Sequence, residues 1–431
     1  MKHYCILLLS IFITGRLAFS QDTLHQYKIN YYNQKVIKYL DREKQLSNFY
    51  KIDKEGVKVY ASPNDKLKDS VEFKIKWEQF AEFNKCLRAG KDAAFFASKK
   101  HSQLSCEQKS EAAQQPAYSH LKKLSGLKIA IDPGHVAGDF EMGKTEMKFL
   151  SFKKDSLNGL ADSIQIAEGM LTFATATLLK EKLEADGATV FLTRKQNGYT
   201  AFGKTFDQWI KDDYKNKVEE LFKAGKLSSE KKNQMLSSQY DKRKKFLLFK
   251  DIELAKRAEL INEFNPDITV IIHFNVDETN LGWKKPGNKN YNMTFIGGAF
   301  MPGDLSSREK RFEFLRMIVS NDIEESILLS GAVTSQFESV LKVKTAGPND
   351  AKYLREGCLS TPQKGVYCRN LQLTRYIHGP LVYGETLYQD NINECKALNK
   401  EADKTKNERI KEVAEAYYKG IWDYITTKNV N

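Results

Sequence analysis

The chain has 431 residues, 41% of them hydrophobic and 11% aromatic, which is enough apolar material for a folded core and too much for wholesale disorder. Charged residues make up 29% and mean hydropathy is −0.53, excluding a polytopic membrane protein. The formal net charge of +13 suits an anionic partner such as nucleic acid, acidic lipid or an acidic cell-wall polymer.

Residues 1–20 read as a secretory signal. Lys2 supplies the positive start, Tyr4 to Ile13 is an apolar run too short to span a bilayer, and Ala18 and Ser20 are small residues suited to cleavage before Gln21. An exported chain can form disulfides. Five cysteines follow the signal, an odd number, and Cys86–Cys106 and Cys358–Cys368 are the local pairings to test. No CxxC pair supports a thiolate zinc ribbon. Export and the dispersed basic residues argue against nucleic acid as the partner, and no membrane span is expected after processing.

Residues 21–120 read as a small accessory α+β region without identifiable chemistry. Leu24 to Phe49 has helical spacing, 56–61 and 71–77 alternate as strands around a turn at Ser62-Pro63-Asn64-Asp65, and 78–100 look helical. Residues 101–118 make a plausible linker. From 121 to 431 the pattern changes. Apolar strands at 127–132, 190–193 and 268–272 alternate with helices at 166–186 and 253–264. Further strands are expected at 292–296, 366–373 and 381–383, and further helices at 306–329 and 403–427. The class is therefore α/β, a layered domain with a twisted, largely parallel sheet flanked by helices. Residues 195–250 are a charged, mostly helical insertion, and 276–290 and 331–364 read as loops.

Ligands of such sheets bind beyond the C-terminal ends of the strands. Two of the seven histidines sit there: His135, after the turn Asp132-Pro133-Gly134, and His273, closing the strand 268–272. A hydrolytic zinc ion commonly takes two imidazoles and one carboxylate and keeps one position open. Glu168, opening the helix 168–186, is the natural third ligand, and Glu141 and Glu146 compete with it on spacing. Glu385 follows the apolar run 381–384, where burial raises a carboxylate's pKa towards that of a general base.

These residues carry a resemblance. Ile129 to His135, Glu168 through Arg194, Arg257 through Asn275, and Lys364-Gly365-Val366 through Glu385 to Asn391 resemble, in order, the motifs of the zinc-dependent N-acetylmuramoyl-L-alanine amidases. Residues 414–424 resemble their closing helix. The resemblance implies Zn2+ held by His135, Glu168 and His273, with Glu385 as the catalytic glutamate. The distance from Glu168 to Thr193-Arg194 favours it there over Glu141 and Glu146. Asn275, Arg194 and Arg257 match motif positions with structural or substrate-facing roles.

The implied reaction is hydrolysis of the amide between N-acetylmuramic acid and L-alanine in peptidoglycan, in the periplasm or cell envelope. A zinc peptidase acting elsewhere on the stem peptide, or an idle wall-binding regulator on the same fold, are the alternatives. The long segments 136–167 and 195–256, Val136 in place of a glycine, and Tyr383-Gly384 in place of an apolar pair depart from the family pattern. Some relatives cover their zinc with a helix that an activator releases, so either a helix within 206–250 occludes the cleft or the insertion is a surface ornament.

Overall fold

The computed structural model describes residues 21–98, 123–155, 159–280, 282 and 285–430. The signal, Cys106 and the linker at 101–118 lie outside them. The N-terminal region opens with the helix Gln21–Lys35 and forms a three-stranded antiparallel sheet from β1 (Tyr50–Asp53), β2 (Gly56–Tyr60) and β3 (Val71–Lys76). The expected turn at Ser62 to Asp65 is a short helix, Pro63–Leu67. Ser62 caps it by accepting from the Asp65 amide, and proline opens its first turn. This sheet shares its core with the helix Arg308–Val319: Phe73, Phe83 and Phe96 meet Phe312, so the region packs on the larger sheet's domain through an aromatic seam.

The larger sheet takes β4 (Lys128–Pro133), β7 (Thr189–Leu192), β8 (Ile268–Asn275), β9 (Met293–Ile296), β10 (Leu359–Ser360), β11 (Val366–Cys368) and β12 (Leu381–Tyr388). Its order is β10-β11-β9-β12-β8-β4-β7, with β5 (Phe149–Phe152) and β6 (Ile164–Ala167) pairing separately as a ribbon between His135 and Glu168. Strands β7, β4, β8 and β12 run parallel. Strand β9 is antiparallel to β12, β11 is parallel to β9, and β10 is antiparallel to β11. The sheet is thus mixed, with its parallel half holding the two histidine strands.

Alternate residues of the central strands serve different layers. Ile129, Ile131, Val270, Ile272 and Val382 pack under the helices Glu168–Ala185, Asp322–Leu341 and Glu408–Val430. Ala130, Ile271, Phe295 and Tyr383 face Ala258 and Ile261 of the helix Lys242–Phe264. His273 and Glu385 share this second face by alternation.

Several expectations change. The helix expected at 306–329 is two, broken at Ser320-Asn321, and the second runs to Leu341 through what reads as loop. Its apolar residues Val333, Phe337 and Leu341 are buried against the C-terminal helix. Strand β11 stops at Cys368, and Gln372–Tyr376 is helical. Strand β12 continues past 383 to Tyr388, crossing a bulge between Thr386 and Tyr388 where Leu387 has φ 53°.

Cys358 and Cys368 are both free and buried. Leu359, not Cys358, stands opposite Cys368 in the β10–β11 register, and successive residues of a strand point to opposite faces, so the two thiols are out of step. Cys86 is disulfide-bonded, to a partner outside the described residues.

Candidate metal and hydrolytic site

His135 lies just beyond β4 with φ 61°, a left-handed conformation for a residue carrying a Cβ. Buried donors hold that turn. Arg257 donates from Nη2 to the His135 carbonyl (2.9 Å) and from Nη1 to the Pro133 carbonyl (3.0 Å). Arg194 donates to the Pro133 (3.1 Å) and Gly134 (3.2 Å) carbonyls, and Thr172 Oγ1 donates to Gly134 O at 2.6 Å. Asp132 is fully buried between Arg257 and the Thr193 hydroxyl. A Cβ on Gly134 would fall 2.3 Å from the His273 ring, so only glycine lets the turn pass under that imidazole. Arg194 and Arg257 are therefore turn-holding residues, fully committed to protein acceptors.

Three ligating atoms converge there. His135 Nε2 is 3.1 Å and His273 Nδ1 3.2 Å from Glu168 Oε1, and the two ring nitrogens are 3.1 Å apart. Glu168 begins its helix directly after β6 and is 2% exposed. It also accepts from the Phe274 amide at 3.1 Å. Around an ion with bonds of about 2.0–2.2 Å, tetrahedral neighbours stand roughly 3.3 Å apart. The donor set and its spacing fit a zinc ion, and among the described residues it is the group of metal-ligating side chains that converges in this way.

Glu146 separates from Glu168 by position. It ends the helix Phe140–Glu146, lies 3.0 Å from His135 Nδ1, and accepts from the Val136 and Ala137 amides. The two carboxylates thus address opposite nitrogens of one ring: Glu146 holds Nδ1, and Nε2 faces Glu168. Glu141 faces solvent, paired with Lys144.

The charges follow this layout. For the metal-free chain, burial opposes protonation of His135, but Glu168 and Glu146 outweigh it and push the ring up to about 9. Burial holds His273 down to about 4. Burial also disfavours the Glu168 anion, yet His135 and Lys148 keep its carboxyl well below the usual range.

Glu385 stands opposite His273 in the β8–β12 register and is the one residue of β12 that is not fully buried. Burial and the Glu168 charge push its pKa up to about 8, with Lys148, Arg369 and His135 pulling the other way. It lies inside the strand, not at its end, because β12 passes the site through its bulge.

Asn275 does not meet the metal-ligand group. It donates to Tyr353 Oη at 2.8 Å, fixing that ring. Tyr383 stacks on His273, centroids 4.6 Å apart and 5° from parallel, a contact that its place in β12 beside β8 made available. Lys148 and Arg369 are the charged neighbours that sequence reading missed. One precedes β5 and the other follows β11, and nothing local marks either as close to Glu385. His378 is elsewhere, against Glu313.

The insertion forms the helices Phe206–Asp212, Tyr214–Lys223 and Ser229–Leu236 and the start of Lys242–Phe264. Phe206, Trp209, Phe246 and Phe249 build a core on Val136, and Arg243 ties the last helix to the Thr145 carbonyl at 2.9 Å. Phe246 and Lys250 line one side of a pocket of about 190 Å³ that His135, His273 and Tyr383 line on another. The insertion walls the site from the side, and the His135–Glu168–His273 group includes no residue from it.

A mixed sheet that brings a His-Glu-His group together with a carboxylate in register beside it has the donor set of a metal-dependent hydrolase. The family model for N-acetylmuramoyl-L-alanine amidases matches residues 129–423, and this chain belongs to that family. Among solved structures it is similar to the CwlD amidase of Clostridioides difficile in complex with the GerS lipoprotein (19% identity, 70% of this chain and 99% of that one, TM-score 0.38). It is also similar to apo Ami1 of Mycobacterium abscessus (16%, 70% and 99%, 0.37) and to AmiC2 of Nostoc punctiforme (14%, 70% and 99%, 0.36). No curated protein matches the chain.

Proposed function

We propose that the protein is a zinc hydrolase that cleaves the amide between N-acetylmuramic acid and L-alanine of peptidoglycan, in the periplasm or cell envelope. The observation that carries this reading is the convergence of His135, Glu168 and His273 with Glu385 in register beside them. The three ligands would hold the ion, which when bound acidifies water and polarises a carbonyl.

The chain's own residues supply the proton chemistry. Glu385, ionised, accepts a proton on its carboxylate from the attacking water and returns it to the leaving amine nitrogen. Lys148 and Arg369 oppose the burial and the Glu168 charge that favour its protonated form. Glu146 holds the His135 ring so that Nε2 points into the site. Zinc content and sacculus digestion, read by mass spectrometry, test the proposal. Release of L-alanine amino termini and bare glycan supports it, and shortened stems on intact glycan would instead indicate a peptidase.

Access is the second part of the proposal. The start of Lys242–Phe264 walls the pocket, and an activator protein that draws it away from Thr145 would widen the approach. Arg243→Ala, which cuts that contact, should raise the rate on sacculi without any partner; an unchanged rate removes the regulatory reading.

A further inference from the structure

Arg369 differs from every other arginine near the site. Its guanidinium has no hydrogen-bond or ion-pair partner among the described residues and is half-buried. It lies 4.9 Å from the Phe295 ring centroid and 4.9 Å from that of Tyr353. Both ends of its backbone are fixed. Its amide donates to Ile296 O at 2.9 Å, and its carbonyl accepts from Thr374 Oγ1 at 2.7 Å. Tyr353 is itself held by Asn275, from the histidine strand. Aromatic contacts hold a guanidinium in place without neutralising it, leaving its donors for an incoming acceptor.

The sheet places that cation on the catalytic face. Tyr367 of β11 pairs with Phe295 of β9, and Phe295 pairs with Tyr383 of β12, so these side chains share the face of Glu385. Arg369, two residues beyond Tyr367, falls on it too. From β12 to β11 is two strand spacings, about 10 Å, or roughly three residues of extended peptide. Lys148, at the other side of Glu168, adds a second cation, 3.9 Å from that carboxylate and 44% exposed.

Resting on the amidase reading, we propose that Arg369, clamped by Phe295 and Tyr353, is the subsite that binds a carboxylate of the stem peptide within three residues of the scissile amide. The glycan is not the source of the anion, because the lactyl carboxyl of muramic acid is already consumed in the amide. A free carboxylate must come from the stem peptide, either an acidic residue or the C-terminus of a shortened stem. Two N–H donors of a guanidinium match its two oxygens, whereas a carboxamide offers one acceptor and loses the charge.

Paired soluble muramyl tripeptides with amidated C-termini test this, identical except for carboxylate or carboxamide at the second residue, then on the side chain of the third, and a third pair with free or amidated C-terminus separates the terminal carboxylate. The wild-type protein, zinc-loaded, should favour the carboxylate at one of these positions by roughly tenfold or more in kcat/KM, mainly through KM. Arg369→Met should bring that ratio towards one, and Arg369→Lys should restore part of it. Thermal melting of both variants checks folding, and if the methionine variant does not fold, the lysine variant and the wild-type ratio decide. An active wild type that ignores the carboxylate at all three positions, or a folded Arg369→Met with the wild-type ratio, overturns the subsite. A wild type that releases no L-alanine amino termini from any substrate overturns the amidase reading itself.

Discussion

The two sides of the site treat their arginines in opposite ways. On the histidine side, Arg194 and Arg257 are at most 1% exposed and bonded to the backbone and carboxylates of the turn they support. Across the sheet, the Arg369 guanidinium lies against two rings and has no hydrogen-bond or ion-pair partner among the described residues. Saturated arginines fix geometry, because removing one leaves buried acceptors and acids unmatched. An unsaturated, rigidly held arginine has binding capacity left over. On the proposed reading, one side would position the ion and the other would receive substrate.

The largest expected break in this comparison comes from the base. Glu385→Gln should lower turnover on sacculi by about 10²–10⁴-fold while zinc content stays at the wild-type level. Loss of metal together with activity would show that Glu385 belongs to the positioning side.

Arg257→Met comes next. It strands Asp132 and Glu253 in the interior, and should cost about 3–5 kcal/mol in denaturant unfolding, with zinc lost as the His135 turn relaxes. A stable variant with full zinc would contradict the structural role. Glu146→Gln should be milder, weakening zinc affinity about 10–100-fold in a chelator competition.

Zinc binding should also release at least one proton at pH 7, because metal-free His135, with its pKa near 9, is protonated there and must lose that proton to ligate. Calorimetry in buffers of different ionisation enthalpy measures it, and zero release would show that the ring is neutral beforehand. The smallest effect is expected at Lys148. Lys148→Met removes a cation that lowers the pKa of Glu385, so the pKa rises. A general base must be ionised, so the acidic limb of the kcat/KM profile should move to higher pH, by under about one unit. A shift to lower pH would reverse the assignment.

Much of the histidine side is legible along the chain. His135 and His273 each follow an apolar run, and polar side chains towards the C-terminal end of a buried parallel strand are placed where ligands bind, although β8 runs two residues past His273 to Asn275. Less could be read of the carboxylates. Glu146 and Glu168 both follow His135 at plausible distances, and only the fold shows them on opposite nitrogens of its ring. The reach of β12 past Glu385 was hidden by a bulge, and the Cys358–Cys368 pairing by a one-residue offset in register. The insertion's helical character was readable, its attachment to Val136 and Thr145 was not.

By itself the sequence determined the chemistry on offer: two imidazoles and one acid following apolar runs and a second acid opening a helix, in an order shared with a family of amidases. Tertiary structure decided which acid meets both histidines, which one holds the far nitrogen of His135, and that Lys148 and Arg369 stand around Glu385. Periodicity records which face a residue occupies within its own strand or helix. Convergence between elements depends on strand order, direction and register, and those arise only when the layers pack.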